Sequence, residues 1–145
     1  MENITTILNR KEARFHTVSP DSMITDALQQ MHCENVDHLI VIDNEDRFLG
    51  ILSDHDITSK VVFGRKSLQA STVREVMNTS LPVATVEDTV EKCMRTMRQY
   101  NIRFVPVFDG FQFKGVISSD DIIHEIISNR SEVFDPEEDL SHVFA

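Results

Sequence analysis

The sequence predicts an α+β protein built from one unit written twice. The first observation is a motif, Gly50-Ile51-Leu52-Ser53-Asp54-His55-Asp56, that returns as Gly115-Val116-Ile117-Ser118-Ser119-Asp120-Asp121 with the common form Gly-x-x-Ser-x-x-Asp. The second is that the match continues outward: Asn35 to Asp43 lies over Asn101 to Asp109, and Ser19 to Met31 lies over Thr85 to Met97. The third is a change of period within each copy, from helical apolar spacing to β-rich runs and back to helical spacing.

In the first copy, Ile4 to Leu8 is a short apolar lead-in, followed by the polar stretch Arg10-Lys11-Glu12-Ala13-Arg14. Ser19-Pro20-Asp21-Ser22 predicts a helix start, with Ser at the cap, Pro at the first helical position and an acid in the first turn. Ile24, Ala27, Leu28 and Met31 then form one buried stripe. His38 to Ile42 reads as a buried strand, Asp43-Asn44-Glu45-Asp46 as a turn, and Phe48 to Leu52 as the returning strand. The Gly50 motif opens a second helix through Ile57, Val61 and Val62 that ends near Phe63. Gly64-Arg65-Lys66-Ser67 begins a linker.

In the second copy, Val73-Arg74-Glu75-Val76-Met77 is the lead-in, and Thr85 is expected to cap a helix with the stripe Val90, Cys93, Met94, Met97. Arg103 to Phe108 is a strand ending in the hairpin signal Asp109-Gly110, and Phe111 to Ile117 returns to the second motif and its helix (Ile122, Ile123, Ile126, Ile127). The sequence thus divides into a first repeat over 1–63, a linker over 64–69, a second repeat over 70–129 and an acidic tail over 130–145. Each repeat, roughly 60 residues, is marginal in size for a core of its own, so the two are expected to pack face to face.

Composition narrows the function. The chain is 41% hydrophobic, yet no apolar run approaches the roughly 20 residues that cross a bilayer, and the start Met1-Glu2-Asn3-Ile4 lacks the pattern of a signal peptide, so the expected compartment is the cytoplasm. Cys33 and Cys93 fall at non-equivalent places in the repeat without metal-ligand spacing and read as reduced thiols on helices. A net charge of −10 argues against nucleic acid. Much of that charge lies in the tail, where Glu132, Asp135, Glu137, Glu138 and Asp139 stand without a Lys or Arg among residues 131–145.

Two readings of the motif stand side by side. A strand, turn and helix N-terminus presents backbone N–H groups to an anion, with a Ser hydroxyl beside them and an Asp placed to accept from a ribose diol. The same Ser-x-x-Asp is also how a helix caps itself, although that leaves the Gly unexplained. Asp54-His55-Asp56 invites a metal or catalytic reading, but three consecutive residues at a turn cannot all face one ion. His38 on its strand reads equally as a structural histidine or a ligand contact. Met31, Met94 and Met97 sit in helical stripes and read as core.

Taken together, the doubled Gly-x-x-Ser-x-x-Asp, the hydrophobic-Pro-hydrophobic strand Val105-Pro106-Val107 and Val73-x-x-Val76-Met77 before the second unit resemble a tandem pair of CBS domains, the repeats named after cystathionine β-synthase. The resemblance runs from Ile4 to Ser128 and is closest to the small stand-alone bacterial members. It implies two β-α-β-β-α units paired about a pseudo-two-fold axis (a Bateman module), often as a disc-like homodimer. It also implies binding of an adenosine ligand, AMP, ADP, ATP, NAD or S-adenosylmethionine, in clefts between the units, and signalling to an effector protein.

Carried over by position, the resemblance gives one cleft Ser53, His55 and Asp56 with Arg103 and Phe104 and the lead-in around Met77. It gives the other Ser118 and Asp121 with Asp37 and His38 and the lead-in around Asn9. Arg103 suits phosphate, whereas Asp37 and Asp120 repel it, so tighter binding is expected at Ser53/Asp56. Relatives often carry Arg where His55 stands and Pro where Ile40 stands. A His beside the phosphate would make binding strengthen as pH falls through its titration. The expectation is a sensor module without chemistry of its own, a structural dimerisation module being the alternative. An enzyme is disfavoured, since the sequence shows no nucleophile with an adjacent base and no Cys/His metal set.

Overall fold

The structure is a computed structural model that describes residues 2–11 and 15–131, apart from the side chains of 129–131. The acidic tail from 132 onward therefore lies outside the described residues. In chain order the elements are α1 (Ile4–Arg10), β1 (Thr17–Val18), α2 (Ile24–Glu34), β2 (His38–Ile42), β3 (Phe48–Ser53), α3 (Asp54–Ile57), a π-helical stretch (Thr58–Val62), α4 (Val73–Val76), β4 (Ala84–Thr85), α5 (Val90–Tyr100), β5 (Phe104–Asp109), β6 (Gln112–Ser118) and α6 (Ser119–Ser131). Each repeat yields a three-stranded sheet, β1-β2-β3 or β4-β5-β6, with its first pair parallel and its second antiparallel. The β-α-β-β-α plan is thus present twice.

The chain divides into two compact units that do not follow the order of the repeats. One is contiguous, Ala13–Leu81, and the other joins Met1–Glu12 to Pro82–Ala145. The lead-ins are the reason. In the contiguous unit, α4 delivers Val73 and Val76, both 0% exposed, into a core with Ile24, Ala27, Met31, Leu39, Val41 and Leu52. In the composite unit, α1 does the same with Ile4 and Ile7 among Val90, Cys93, Val105, Val107 and Ile117. Backbone bonds fix each lead-in: Val73 N–H donates to Ser22 O and Ile24 N–H to Ser71 O, while Ile4 N–H donates to Asp88 O and Val90 N–H to Glu2 O.

These bonds also correct where the long helices begin. Ser19 and Thr85 do not cap them. Helix α2 starts at Ile24 and α5 at Val90, because Ser19 Oγ accepts from Asp21 N–H in a local turn while Thr85 ends β4 and donates its N–H to Asp88 Oδ2. The cap of α5 is Thr89, whose side chain accepts from Lys92 N–H. Both helices close on an αL Asn, Asn35 and Asn101, at matching places. The apolar stripes of α2 and α5 face their cores as expected, whereas Val62 and Ile123 of the two later segments are exposed, and the Asp109-Gly110 hairpin forms with Gly110 at φ 60.

Cysteine chemistry separates along the same lines. Cys33 is exposed and Cys93 is buried, and burial pushes the Cys93 thiol up to about 11, with the Asp88 carboxylate adding to the effect. We expect one thiol to react rapidly with Ellman's reagent at mildly alkaline pH and both to react in urea; two rapid thiols in the folded protein would contradict this burial. The folded thiol keeps its proton where an unfolded one, at 9.0, begins to lose it. Its contribution to stability is therefore complete below about pH 9 and declines as pH rises toward 11.

Candidate functional site

Both motifs sit where a strand runs into the helix that follows, and each is fastened to the neighbouring strand of its own sheet. In the contiguous unit His38 stands opposite Ser53, and Asp54 N–H donates to Asp37 O at 3.0 Å. In the composite unit Phe104 stands opposite Ser118, and Ser119 N–H donates to Arg103 O at 2.9 Å. Arg103 and Phe104 therefore lie in the unit of Ser118 and Asp121, while Asp37, His38 and Met77 lie in the unit of Ser53 and Asp56. Arg103 stacks its guanidinium 5.4 Å from the Phe104 ring centre. His38 Nδ1 lies 3.0 Å from Asp37 Oδ1.

Each Ser-x-x-Asp closes a capping box. Asp56 N–H donates to Ser53 Oγ at 3.1 Å, and Asp56 Oδ2 accepts from Ser53 Oγ at 2.9 Å and from Ser53 N–H at 3.3 Å. Asp121 N–H donates to Ser118 Oγ at 3.1 Å and Ser118 N–H to Asp121 Oδ2 at 2.8 Å. The capping reading is thus realised in both copies, and Ser53 and Ser118 are buried. His55 is exposed, with Nε2 3.4 Å from Ser59 Oγ. Among the described residues no group of His, Cys, Asp and Glu could hold a metal ion.

The motif glycine also finds its reason. Asn78, just past α4, bridges to Ile51 through Ile51 N–H to Asn78 O at 3.1 Å and Asn78 N–H to Ile51 O at 2.8 Å. A Cβ on Gly50 would lie 2.6 Å from Asn78 O. The glycine lets the segment after α4 bridge closely to β3, the edge strand of its sheet.

Two cations that the motif itself does not signal complete these sites. Lys60 Nζ donates to Val76 O at 2.9 Å and Met77 O at 3.4 Å, and stands 3.9 Å from Asp56 Oδ1. In the other unit Lys11 Nζ donates to Asp121 Oδ2 and to Val116 O, both at 2.7 Å. Next to it, Arg10 pairs with the buried Glu125 at 2.6 Å. Lys60 was discoverable as an i, i+4 partner of Asp56. Lys11 lies 110 residues from Asp121, and no local pattern announces that pair.

The CBS-domain family model matches residues 7–62 and 73–128, which span both motifs and both sheets. The chain belongs to the CBS-domain family. A putative signal-transduction protein with CBS domains from Burkholderia ambifaria is 26% identical with a TM-score of 0.81, covering 95% of this chain and 98% of that one. The structure of CBSX2 in complex with AMP, 19% identical with a TM-score of 0.73 over 89% of this chain and 98% of its own, shares the fold. The homoserine O-acetyltransferase of Methanococcus vannielii is 31% identical over 114 residues, 77% of this chain but 23% of that enzyme. The chain spans less than a third of the length of the curated relatives it matches. Among the described residues no helix is long and apolar enough to cross a membrane.

Proposed function

We propose that this CBS-domain chain is a regulatory module that binds an adenosine-containing ligand at Ser53/Asp56 and passes the bound state to an effector protein, with no catalysis of its own. The observation that carries the reading is the doubled motif itself: in both units a buried Ser, a neighbouring Asp and a helix N-terminus are held together at the end of a strand. A carboxylate fixed in this way is oriented to accept from a ribose diol, and the turn beside it suits phosphate. A CBS protein of the same fold has been solved with AMP, so the fold can hold such a ligand. AMP, ADP, ATP, NAD and S-adenosylmethionine share the half that this geometry would read, and a homodimer is the expected assembly.

The dimerisation module remains the second reading, favoured by one observation: both capping boxes are satisfied internally, so Ser and Asp already have a structural task. Thermal unfolding against the five ligands, with GMP as control, separates the two. A specific ligand at 100 times its dissociation constant adds about 2.7 kcal/mol. We expect an upward shift with at least one adenosine ligand that disappears in Asp56→Ala and persists in Ser118→Ala. No shift with any of them would favour the dimerisation module, and loss in Ser118→Ala alone would reverse the ranking of the two motifs.

A further inference from the structure

The two motifs carry opposite charges at equivalent places, and the difference falls on the atom a ligand would need. The residue four beyond the motif Asp is Lys60 in one unit and Glu125 in the other. Lys60 makes its hydrogen bonds to the carbonyls at the end of α4 and only a long ion pair, 3.9 Å, to the Asp56 carboxylate. At Glu125 the direction is reversed. Arg10 comes across from α1 to bind it, and that contact brings the next residue, Lys11, over the motif. Lys11 Nζ then lies 2.7 Å from Asp121 Oδ2, the same oxygen that closes the capping box. Arg10, Lys11, Asp121 and Glu125 together line a cavity of about 350 Å³.

We infer that Lys11 is a built-in occupant of the Ser118/Asp121 motif, holding it closed, so that the chain takes up one adenosine ligand rather than two. This rests on the ligand-binding reading above. A ligand hydroxyl at Asp121 must displace a charge-assisted bond, and the lysine, tethered beside it, returns as an intramolecular competitor. Arg10 and Glu125 keep α1 in place while this happens. The contact also joins the motif to the lead-in that begins the chain, so opening the site means loosening the end of α1.

Calorimetric titration of the full chain with AMP, ATP, NAD and S-adenosylmethionine tests the stoichiometry. Wild type is expected to bind one equivalent, lost in Asp56→Ala and kept in Asp121→Ala. Lys11→Met is expected to reveal a second equivalent that Asp121→Ala removes again, and Lys11→Gln serves should the first variant unfold. Two equivalents in wild type, or one equivalent in both lysine variants, would overturn the inference.

A thermal double-mutant cycle between Lys11→Met and Asp121→Ala needs no ligand. Strictly additive effects would show that the pair is not formed and would dispose of the inference by themselves. Coupling in the cycle with no uptake of any ligand would instead bring down the ligand-binding reading, and the occupancy argument with it.

Discussion

A chain shortened to residues 70–145, the second repeat and the tail as the sequence divides them, is expected to lose cooperative unfolding. The core of that repeat includes Ile4 and Ile7, 0% and 3% exposed, which the shortened chain lacks. Each buried isoleucine is worth about 1.5–3 kcal/mol. The cut also removes the bond from Thr5 Oγ1 to Val86 O and leaves Glu125 buried without Arg10. Losses of roughly 5 kcal/mol match the whole stability of a small domain at the low end of its usual range. Residues 13–81, in contrast, keep their own lead-in and should melt cooperatively. Circular dichroism melts of both pieces make the comparison, and adding a peptide of residues 1–12 to the 70–145 piece should restore structure. A sigmoidal transition in residues 70–145 alone would refute the assignment of α1.

Gly50→Ala is expected to be costly for its size. The new Cβ meets Asn78 O at 2.6 Å and Asn78 C at 3.3 Å, both backbone atoms, so relief requires the lead-in to move. Overpacking of this kind costs about 1–3 kcal/mol. Displacing Asn78 also drags Met77, whose carbonyl accepts from Lys60, so the loss should reach ligand binding as well as stability. Gly110→Ala is the control: nothing lies within 4 Å, and only the left-handed φ of +60 is strained, at about 1–2 kcal/mol. If Gly50→Ala melts no lower than Gly110→Ala, the close approach of the lead-in is not the reason for the motif glycine.

What the sequence made legible is what depends on neighbours along the chain. The stripes Ile24/Ala27/Met31 and Val90/Cys93/Met97, the strands, the hairpin at Gly110 and the capping boxes all follow from spacings of a few residues. The lead-ins show the limit of this. Ile4 and Ile7 are recognisably apolar, but apolar spacing says that a face is buried without saying against what. Their partner is a strand about a hundred residues on, Val105 and Val107. The helix starts fail for a related reason. Ser19-Pro20 has the composition of a cap, yet a backbone bond from Ile24 to Ser71 sets the first turn. At the site, Ser53, Asp56, Ser118 and Asp121 were visible as a repeated pattern. Lys11 was hidden in the polar stretch Arg10 to Arg14, because its role depends on contacts over a hundred residues apart.

The exchange of lead-ins bears on how the chain comes off the ribosome. The contiguous unit has all its parts once Leu81 has emerged, and it can close while synthesis continues. Helix α1 leaves the tunnel before any of it. Its core is complete only after β6 and α6 have been translated, since Ile117 and Ile122 belong to the same cluster as Ile4. Through that interval Ile4 and Ile7 face water or a chaperone, ahead of a unit that has already folded. Residues made ahead of the contiguous unit are thus buried after it.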